Sequence, residues 1–425
     1  MRRSCSAWLA LLLLSGCAST PPPPPPAESG WLSQTVPATA LPAVLRLPNW
    51  PATTEQLRTT SASIYLGNLD ARITQLEGAD HRAAAVAQAL ASSLLHRYRI
   101  LGRWPDVERA GALLQAALQT APESASLQLE WAGWLLLVHR FADAEAALAR
   151  VQGLRSNGAV VDGARLENLQ EELALATGQY ERLGEDFREP ARQAPAEFYA
   201  LAERAYAALL HGDLDLASRL YFEAQHHYRD VGPYPLAWLH VQQGIALLRH
   251  GHCAAAEPFF RAAHERLPGY ALATEHLAEC LLEVRQGDEA RALYESVIAQ
   301  TDNPEYIAAL ARLEEADERP ERAALLRLQA DERWAAWLAA WPQAHAQHAA
   351  RYYLDTGRLD QARALAEQNL QWRQDIDSRL LMMDVATEQG DSATVCAQWQ
   401  RVQSTGLNAP EVVTWRERTR SCPAH

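Results

Sequence analysis

The sequence contains none of the short motifs that mark nucleotide-binding, zinc-protease or serine-hydrolase sites. GxGxxG, the P-loop, HExxH, GxSxG and CxxC are all absent. Lysine is also absent, so all 39 basic residues are arginine, which we interpret as an effect of genome composition. The sequence therefore predicts no catalytic residues, no metal and no cofactor, and we do not expect an enzyme.

Positive charge and long apolar runs are scarce as well. The 39 arginines are outnumbered by 52 Asp and Glu residues, and the formal net charge is −13. An acidic protein repels nucleic acid and anionic lipid head groups, so neither is a predicted partner. No apolar run reaches the roughly 20 residues of a transmembrane helix, and no strand-like alternation stands out.

The first residues do carry a recognisable pattern. Two arginines follow Met1, and a short apolar stretch then runs to Leu14, as in a signal peptide. The stretch ends in Leu-Ser-Gly-Cys, with Cys17 last, which resembles the lipobox of bacterial lipoproteins. That resemblance implies cleavage of residues 1–16 and lipidation of Cys17 with diacylglycerol and an acyl chain. The alternative is a chance cysteine after an ordinary signal peptide.

Residues 17–52 are predicted to be a lipidated N-terminus and a Pro-rich linker. Six prolines at 21–26 favour a polyproline II rod about 19 Å long. No Asp follows Cys17, which by resemblance to enteric lipoproteins implies an outer-membrane anchor, with the body facing the periplasm, rather than an inner-membrane one. The membrane is thus an expected partner through the lipid alone.

Most of the remaining chain repeats with a period near 34 residues. The clearest unit, residues 237–270, carries small, aromatic and turn residues at fixed offsets: Gly244, Gly251, Ala256, Phe260, Ala263 and Pro268. Neighbouring units keep several of these offsets. This pattern resembles the tetratricopeptide repeat (TPR), and it implies an all-α, right-handed superhelical solenoid of helix pairs. Small residues let paired helices approach, Gly251 permits the turn and Pro268 ends the second helix.

The repeats predict a division of the body into three stretches. These are the N-terminal and central repeats at 53–304, a divergent helical segment at 305–342, and C-terminal repeats with a cap at 343–425. Residues 164–197 depart most from the pattern. The first helix is expected to have its N-cap near Thr53 or Thr54.

Four cysteines remain after the lipobox, an even number that suits an oxidising compartment. In the repeat geometry Cys253 opens a second helix and Cys280 lies late in the next first helix, so both should reach one edge of the solenoid. Cys422 lies in a tail that must fold back over the helix opened by Cys396. We favour the disulfides Cys253–Cys280 and Cys396–Cys422, with four free, partly buried thiols as the alternative.

First helices of such repeats line a concave groove, which is the candidate site for a partner. The predicted groove residues are Tyr199, Tyr206, Leu209, Trp238, Val241, Ile245, Arg249, Glu275, Glu279 and Glu283. An aromatic and aliphatic wall beside an acidic one could receive a peptide or a partner helix, unless the aromatics pack against adjacent units instead. Trp334, Trp337 and Trp341 form one helical stripe, which is either core or a partner surface.

The resemblance predicts a membrane-anchored periplasmic scaffold that binds envelope proteins in envelope assembly, secretion or polysaccharide export. Two alternatives remain open. The groove could bind a glycan, with tryptophans as stacking platforms. An unrecognised enzyme could instead hold a metal around His252 and Cys253, with His240, His250 and His264 nearby.

Overall fold

The computed structural model describes residues 40–193, 196–283 and 286–422. The lipobox with Cys17, the predicted cleavage of residues 1–16 and the proline run all lie outside these ranges. Regular structure within them is entirely helical, which confirms the predicted all-α class. None of the helices in this part of the chain combines the length and the apolar character needed to cross a bilayer.

Twenty α-helices follow one another along the described residues. They are α1 Ala62–Glu77, α2 Ala84–Leu101, α3 Trp104–Thr120, α4 Ala125–Leu137, α5 Phe141–Ser156, α6 Gly163–Ala176, α7 Glu185–Arg188, α8 Phe198–Leu210, α9 Leu214–His227, α10 Pro233–Arg249, α11 Cys253–Arg266, α12 Ala271–Glu283, α13 Gly287–Thr301, α14 Pro304–Ala316, α15 Pro320–Ala340, α16 Pro342–Asp355, α17 Leu359–Trp372, α18 Ile376–Glu388, α19 Ser392–Gln403 and α20 Pro410–Arg418. Short 3-10 helices cover Ala43–Arg46 and Tyr180–Arg182.

The pair α10–α11 shows how the repeat residues make a helix pair. Gly251 takes a left-handed φ of 73° in the turn that follows α10, a conformation that glycine adopts without steric cost. Gly244 faces the ring of Phe260, and a Cβ on Gly244 would lie 2.5 Å from Phe260 Cε1. Ala256 and Phe260 are fully buried at this contact. The small and large residues therefore complement each other, as the repeat pattern predicts.

The described residues divide into two compact units. One contains residues 63–183 together with 372–375, and it includes the pairs α2–α3 and α4–α5. Within it the backbone N–H of Gln374 donates to the carbonyl oxygen of Ala176 at 3.1 Å. The other contains residues 184–371 and 376–422 with the segment that precedes α1. Each unit is built from consecutive helices joined by short turns.

The two weakly repetitive stretches have different outcomes. Residues 305–342 form a helix pair, because α14 is followed by the 21-residue helix α15. Residues 164–197 do not, because α6 is followed by a 3-10 turn and by α7, which is a single turn of four residues. Proline at the first position of α14 and α15 needs no N–H partner, so it starts these helices without cost.

The segment at 49–60, which we call the strap, is not helical. Trp50 is buried against Phe222 and Phe259, with ring centroids 5.8 and 4.9 Å away. The buried Arg266 guanidinium donates to the carbonyl oxygens of Ala52 and Leu57, each at 2.8 Å. An ordered body thus begins within the predicted linker.

The predicted N-cap at Thr53 or Thr54 is wrong, since α1 begins at Ala62. Thr53 does exchange hydrogen bonds with Gln56, at 2.9 and 3.3 Å, in the manner of a capping box. The Leu57 N–H donates to the Thr53 carbonyl oxygen at 3.0 Å and so closes one turn, and Arg266 donates to the same oxygen at 3.1 Å. The sequence thus located residues that pair as in a capping box, but the helix expected after them does not form.

Candidate partner-binding surface

One face of α12 carries a row of carboxylates at helical spacing. Glu275, Glu279 and Glu283, which we call the acidic strip, are four residues apart and therefore lie on one stripe of the helix. The side chains of Glu275 and Glu279 are 14% and 20% exposed, and Glu283 is exposed. The strip reaches solvent while its inner members are strongly desolvated.

A buried histidine lies beneath the strip. His276 Nδ1 is 3.1 Å from Glu275 Oε2 and 3.0 Å from Glu279 Oε2. Burial alone would lower the pKa of His276, but the two carboxylates raise it to about 9. Its ring stacks on Phe260, with centroids 5.1 Å apart. A protonated imidazole thus balances part of the charge of the strip.

Glu275, His276 and Glu279 also have the spacing of metal ligands, since their ligand atoms lie within 4.8 Å of one another. With its imidazole protonated, His276 forms an ion pair with the two carboxylates, and a metal would bind there only by displacing that proton.

The two inner carboxylates of the strip are largely shielded from water, whereas Glu283 at its end is exposed. Burial raises the pKa of Glu275, and burial together with the nearby Glu279 charge raises the pKa of Glu283 to about 7. On α14 Glu305 contributes a further negative charge that raises the pKa of His276, and Glu305 itself contacts His348 of α16 at 3.2 Å. Desolvated like charges on one surface favour a cationic ligand, because a positive group would relieve their repulsion.

At pH 7.5 the ring of His276 is expected to carry a proton while the ring of His240 is neutral. Burial, without a carboxylate to oppose it, lowers the pKa of His240 to about 3. The folded pKa of His276 exceeds its ordinary value of 6.5, so its contribution to stability is full below pH 6.5 and is lost as the pH rises through about 9. Nitrogen–proton NMR correlations of the imidazole rings, recorded from pH 5 to 10, distinguish these two states. A His276 ring that is already neutral at pH 7 would contradict the ion-pair assignment.

The part of the predicted groove on α10 is not open. Trp238, Val241 and Ile245 are 6%, 0% and 5% exposed. The Trp238 ring packs against Phe198 and Tyr199, with centroids 6.3 and 6.2 Å away. This favours the alternative in which the aromatics pack against a neighbouring helix, because α10 is buried around nearly its whole circumference.

The ends of α8 and α10 are covered by the C-terminal part of the chain. Arg249 Nε is 2.7 Å from Glu411 Oε1, and its Nη2 is 3.4 Å from Asp377 Oδ1. The backbone N–H of Asn408 donates to the carbonyl oxygen of Leu210 at 2.9 Å. Tyr199, Tyr206 and Leu209 of α8 are half-buried. No local pattern in the sequence signals these contacts, because the residues that they join are at least 128 positions apart.

The four cysteines form the two pairs that the repeat geometry favours. A disulfide joins Cys253 to Cys280, and another joins Cys396 to Cys422, each with Cα atoms 5.4 Å apart. The first links the start of α11 to the end of α12, and the second links α19 to the segment after α20. Both pairs connect elements that the antiparallel turn geometry brings together.

The histidines around Cys253 have separate hydrogen-bond partners. His250 Nδ1 lies 2.7 Å from the carbonyl oxygen of Ala246, and His264 Nδ1 lies 3.0 Å from Thr274 Oγ1. His240 Nε2 lies 2.9 Å from Gln225 Oε1. These histidines form no metal-ligand cluster within the described part of the chain. The disulfide also removes the thiolate that a metal would need.

The tryptophan stripe of α15 faces inward at Trp334, which is 1% exposed. Its ring lies 6.1 Å from Tyr352 and 6.2 Å from Trp337, and the buried cluster around it includes Ala330. Trp337 packs on His345 at 4.4 Å. Trp334 therefore belongs to the core and cannot stack on a sugar.

Paired helices with small residues at their contacts define a helical-repeat protein. Within it, residues 247–313 match the model of the tetratricopeptide repeat family. This stretch runs from the end of α10 into α14 and includes the acidic strip. The family generally has no catalytic function, in keeping with a scaffold.

No curated protein matches the sequence. Among solved structures, the human IFIT1 dimer with PPP-AAAA is 16% identical, with 76% of this chain and 72% of that chain covered and a TM-score of 0.46. The APC/C hetero-tetramer Cut9-Hcn1 gives 14% identity, coverage of 85% and 68%, and a TM-score of 0.45. Yeast Tom70 is 12% identical, with 85% of this chain and 90% of that chain covered and a TM-score of 0.32.

Proposed function

We propose that this protein is a periplasmic scaffold, anchored to the outer membrane by lipid, that holds a basic segment of another envelope protein on the acidic strip. The observation that carries the proposal is the row of three carboxylates on α12, two of them largely shielded from water, within the TPR match. Helical repeats use such first-helix faces to bind extended or helical segments. The partner's Lys or Arg residues would replace the water that these carboxylates have lost.

The location rests on two features. The lipobox at Cys17 supports lipid anchoring, and the two disulfides suit the oxidising periplasm rather than the cytosol. The net charge of −13 works against direct adsorption of the body to anionic head groups. The lipid would fix the location, and the strip would select the partner.

Replacing Glu279 and Glu283 with glutamine is expected to reduce partner capture about tenfold, because each lost ionic contact weakens a desolvated interface. Capture is measured with a photocrosslinking residue placed at Leu282 in the full-length protein, within the envelope of the producing bacterium, followed by mass spectrometry. Capture by the native strip should fall as salt is raised.

The matched control is the double substitution Glu321→Gln and Glu332→Gln on α15, which removes the same charge from two exposed positions. It should capture the partner as the unsubstituted protein does. Equal capture by the strip variant, or a crosslinked partner with no basic segment, would refute the proposal.

A further inference from the structure

Residues 404–418, which we call the terminal arm, bind back onto the body. Helix α20 forms their second half, and Gly406 precedes it in a left-handed turn with φ of 69°. The arm buries five apolar side chains: Leu407, Ala409, Pro410, Val412 and Trp415. It is therefore a largely apolar segment that leads into a helix.

The surface under the arm has a defined chemistry. The Leu210 carbonyl oxygen accepts the Asn408 N–H at 2.9 Å. A Cβ on Gly212 would lie 2.5 Å from the Asn408 carbonyl oxygen, so only glycine allows this backbone approach. Arg249 donates to both carboxylate oxygens of Glu411, from Nε at 2.7 Å and from Nη2 at 2.9 Å. The Leu210 carbonyl oxygen can accept a backbone hydrogen bond, the Gly212 turn lets a second backbone approach closely, and the Arg249 guanidinium binds a carboxylate with two hydrogen bonds. Together these groups can recognise a peptide.

The carboxylate of the arm fits this surface electrostatically. Burial alone would raise the pKa of Glu411, but Arg249 holds it below its ordinary value. Glu411 also lies in the first turn of α20, where the helix dipole favours a negative charge. Arg249 keeps Asp377 as a second partner at 3.4 Å, so departure of the arm does not leave the guanidinium without a counter-charge.

We propose that the surface formed by Leu210, Gly212 and Arg249 is a second binding site, which receives an apolar segment leading into a helix with a carboxylate in its first turn. The terminal arm occupies this site in cis, and a partner segment of the same chemistry displaces it. The inference extends the proposed scaffold function, because it assigns a partner contact away from the acidic strip. The Cys396–Cys422 disulfide keeps the displaced arm attached to α19 and so able to return.

The test uses a fluorescein-labelled peptide of residues 404–418 and the full-length protein, with binding followed by fluorescence polarisation. In the native chain the tethered arm competes at an effective concentration on the order of millimolar, so the peptide should bind poorly. The double substitution Asn408→Pro and Glu411→Gln removes the N–H donor and the carboxylate of the arm. It should tighten peptide binding at least about tenfold.

Two controls accompany the measurement. Glu417→Gln changes an exposed carboxylate on the same helix, one that pairs with Arg420, and should bind peptide as poorly as the native chain does. A peptide carrying Gln in place of Glu411 should bind the double variant much more weakly than the native peptide. Hydrogen exchange reports whether the arm has been released.

Either of two results overturns the inference. An arm that stays protected from exchange in the double variant is a fixed part of the fold. A released arm without peptide binding shows that the surface recognises nothing in trans. Neither result bears on the acidic strip. Partner capture that is unchanged in the strip variant, with peptide binding intact, would reject the proposed function alone.

Discussion

Replacing Trp334 with alanine is expected to lower the free energy of unfolding by about 3–5 kcal/mol. The indole is 1% exposed and fills the space between α15 and the Tyr352 ring of α16, beside the small residues Ala349 and Ala350. Those alanines are too short to close the cavity that would remain, so both the transfer energy and the cavity energy are lost. The measurement is the urea midpoint by circular dichroism, with hydrogen exchange on α15 and α16.

Leu325→Ala provides the control on the same helix. Leu325 is 69% exposed, so its truncation should change stability by no more than about 0.5 kcal/mol. A Trp334→Ala protein as stable as the control would contradict the assignment of this residue to the core. That result would instead favour the alternative in which Trp334 belongs to a partner-binding surface.

Replacing Cys17 with alanine is expected to release the protein from the membrane fraction or to leave it unprocessed. Lipid attached at this residue is the proposed anchor, and several acyl chains bind a bilayer far more firmly than one. Among the described residues no helix could substitute as a membrane span. The measurement is fractionation followed by an alkaline wash, with the intact mass of the N-terminus as a second readout.

Cys5→Ala is the matched control, because it removes a thiol from the predicted signal peptide without touching the lipobox. That variant should fractionate with membranes as the unsubstituted protein does. A Cys17→Ala protein that stays with the washed membranes would show that the lipoprotein assignment is wrong.

Several features of the fold followed from the sequence because they depend on residues close together in the chain. The offset between Gly244 and Phe260 predicted a close helix contact, and Gly251 predicted the turn between the two helices. The same local geometry favoured the pairing of Cys253 with Cys280, 27 positions apart. The row of carboxylates on α12 was also visible, because helical spacing alone places Glu275, Glu279 and Glu283 on one stripe.

Which predicted groove residues remain accessible was decided by the tertiary structure. Helical spacing places Trp238 and Arg249 on the face of α10 that was predicted to bind a partner. In the structure, however, Trp238 packs on α8 and Arg249 pairs with Glu411. The conformation of the strap also depends on the tertiary structure, since Arg266 binds backbone carbonyl oxygens more than 200 positions earlier. Periodicity in one sequence records which face of a helix is buried and carries no information about the distant segment that covers it. Helix pairs and the acidic strip were thus determined locally, whereas the strap and the terminal arm depend on long-range contacts that only the folded chain creates.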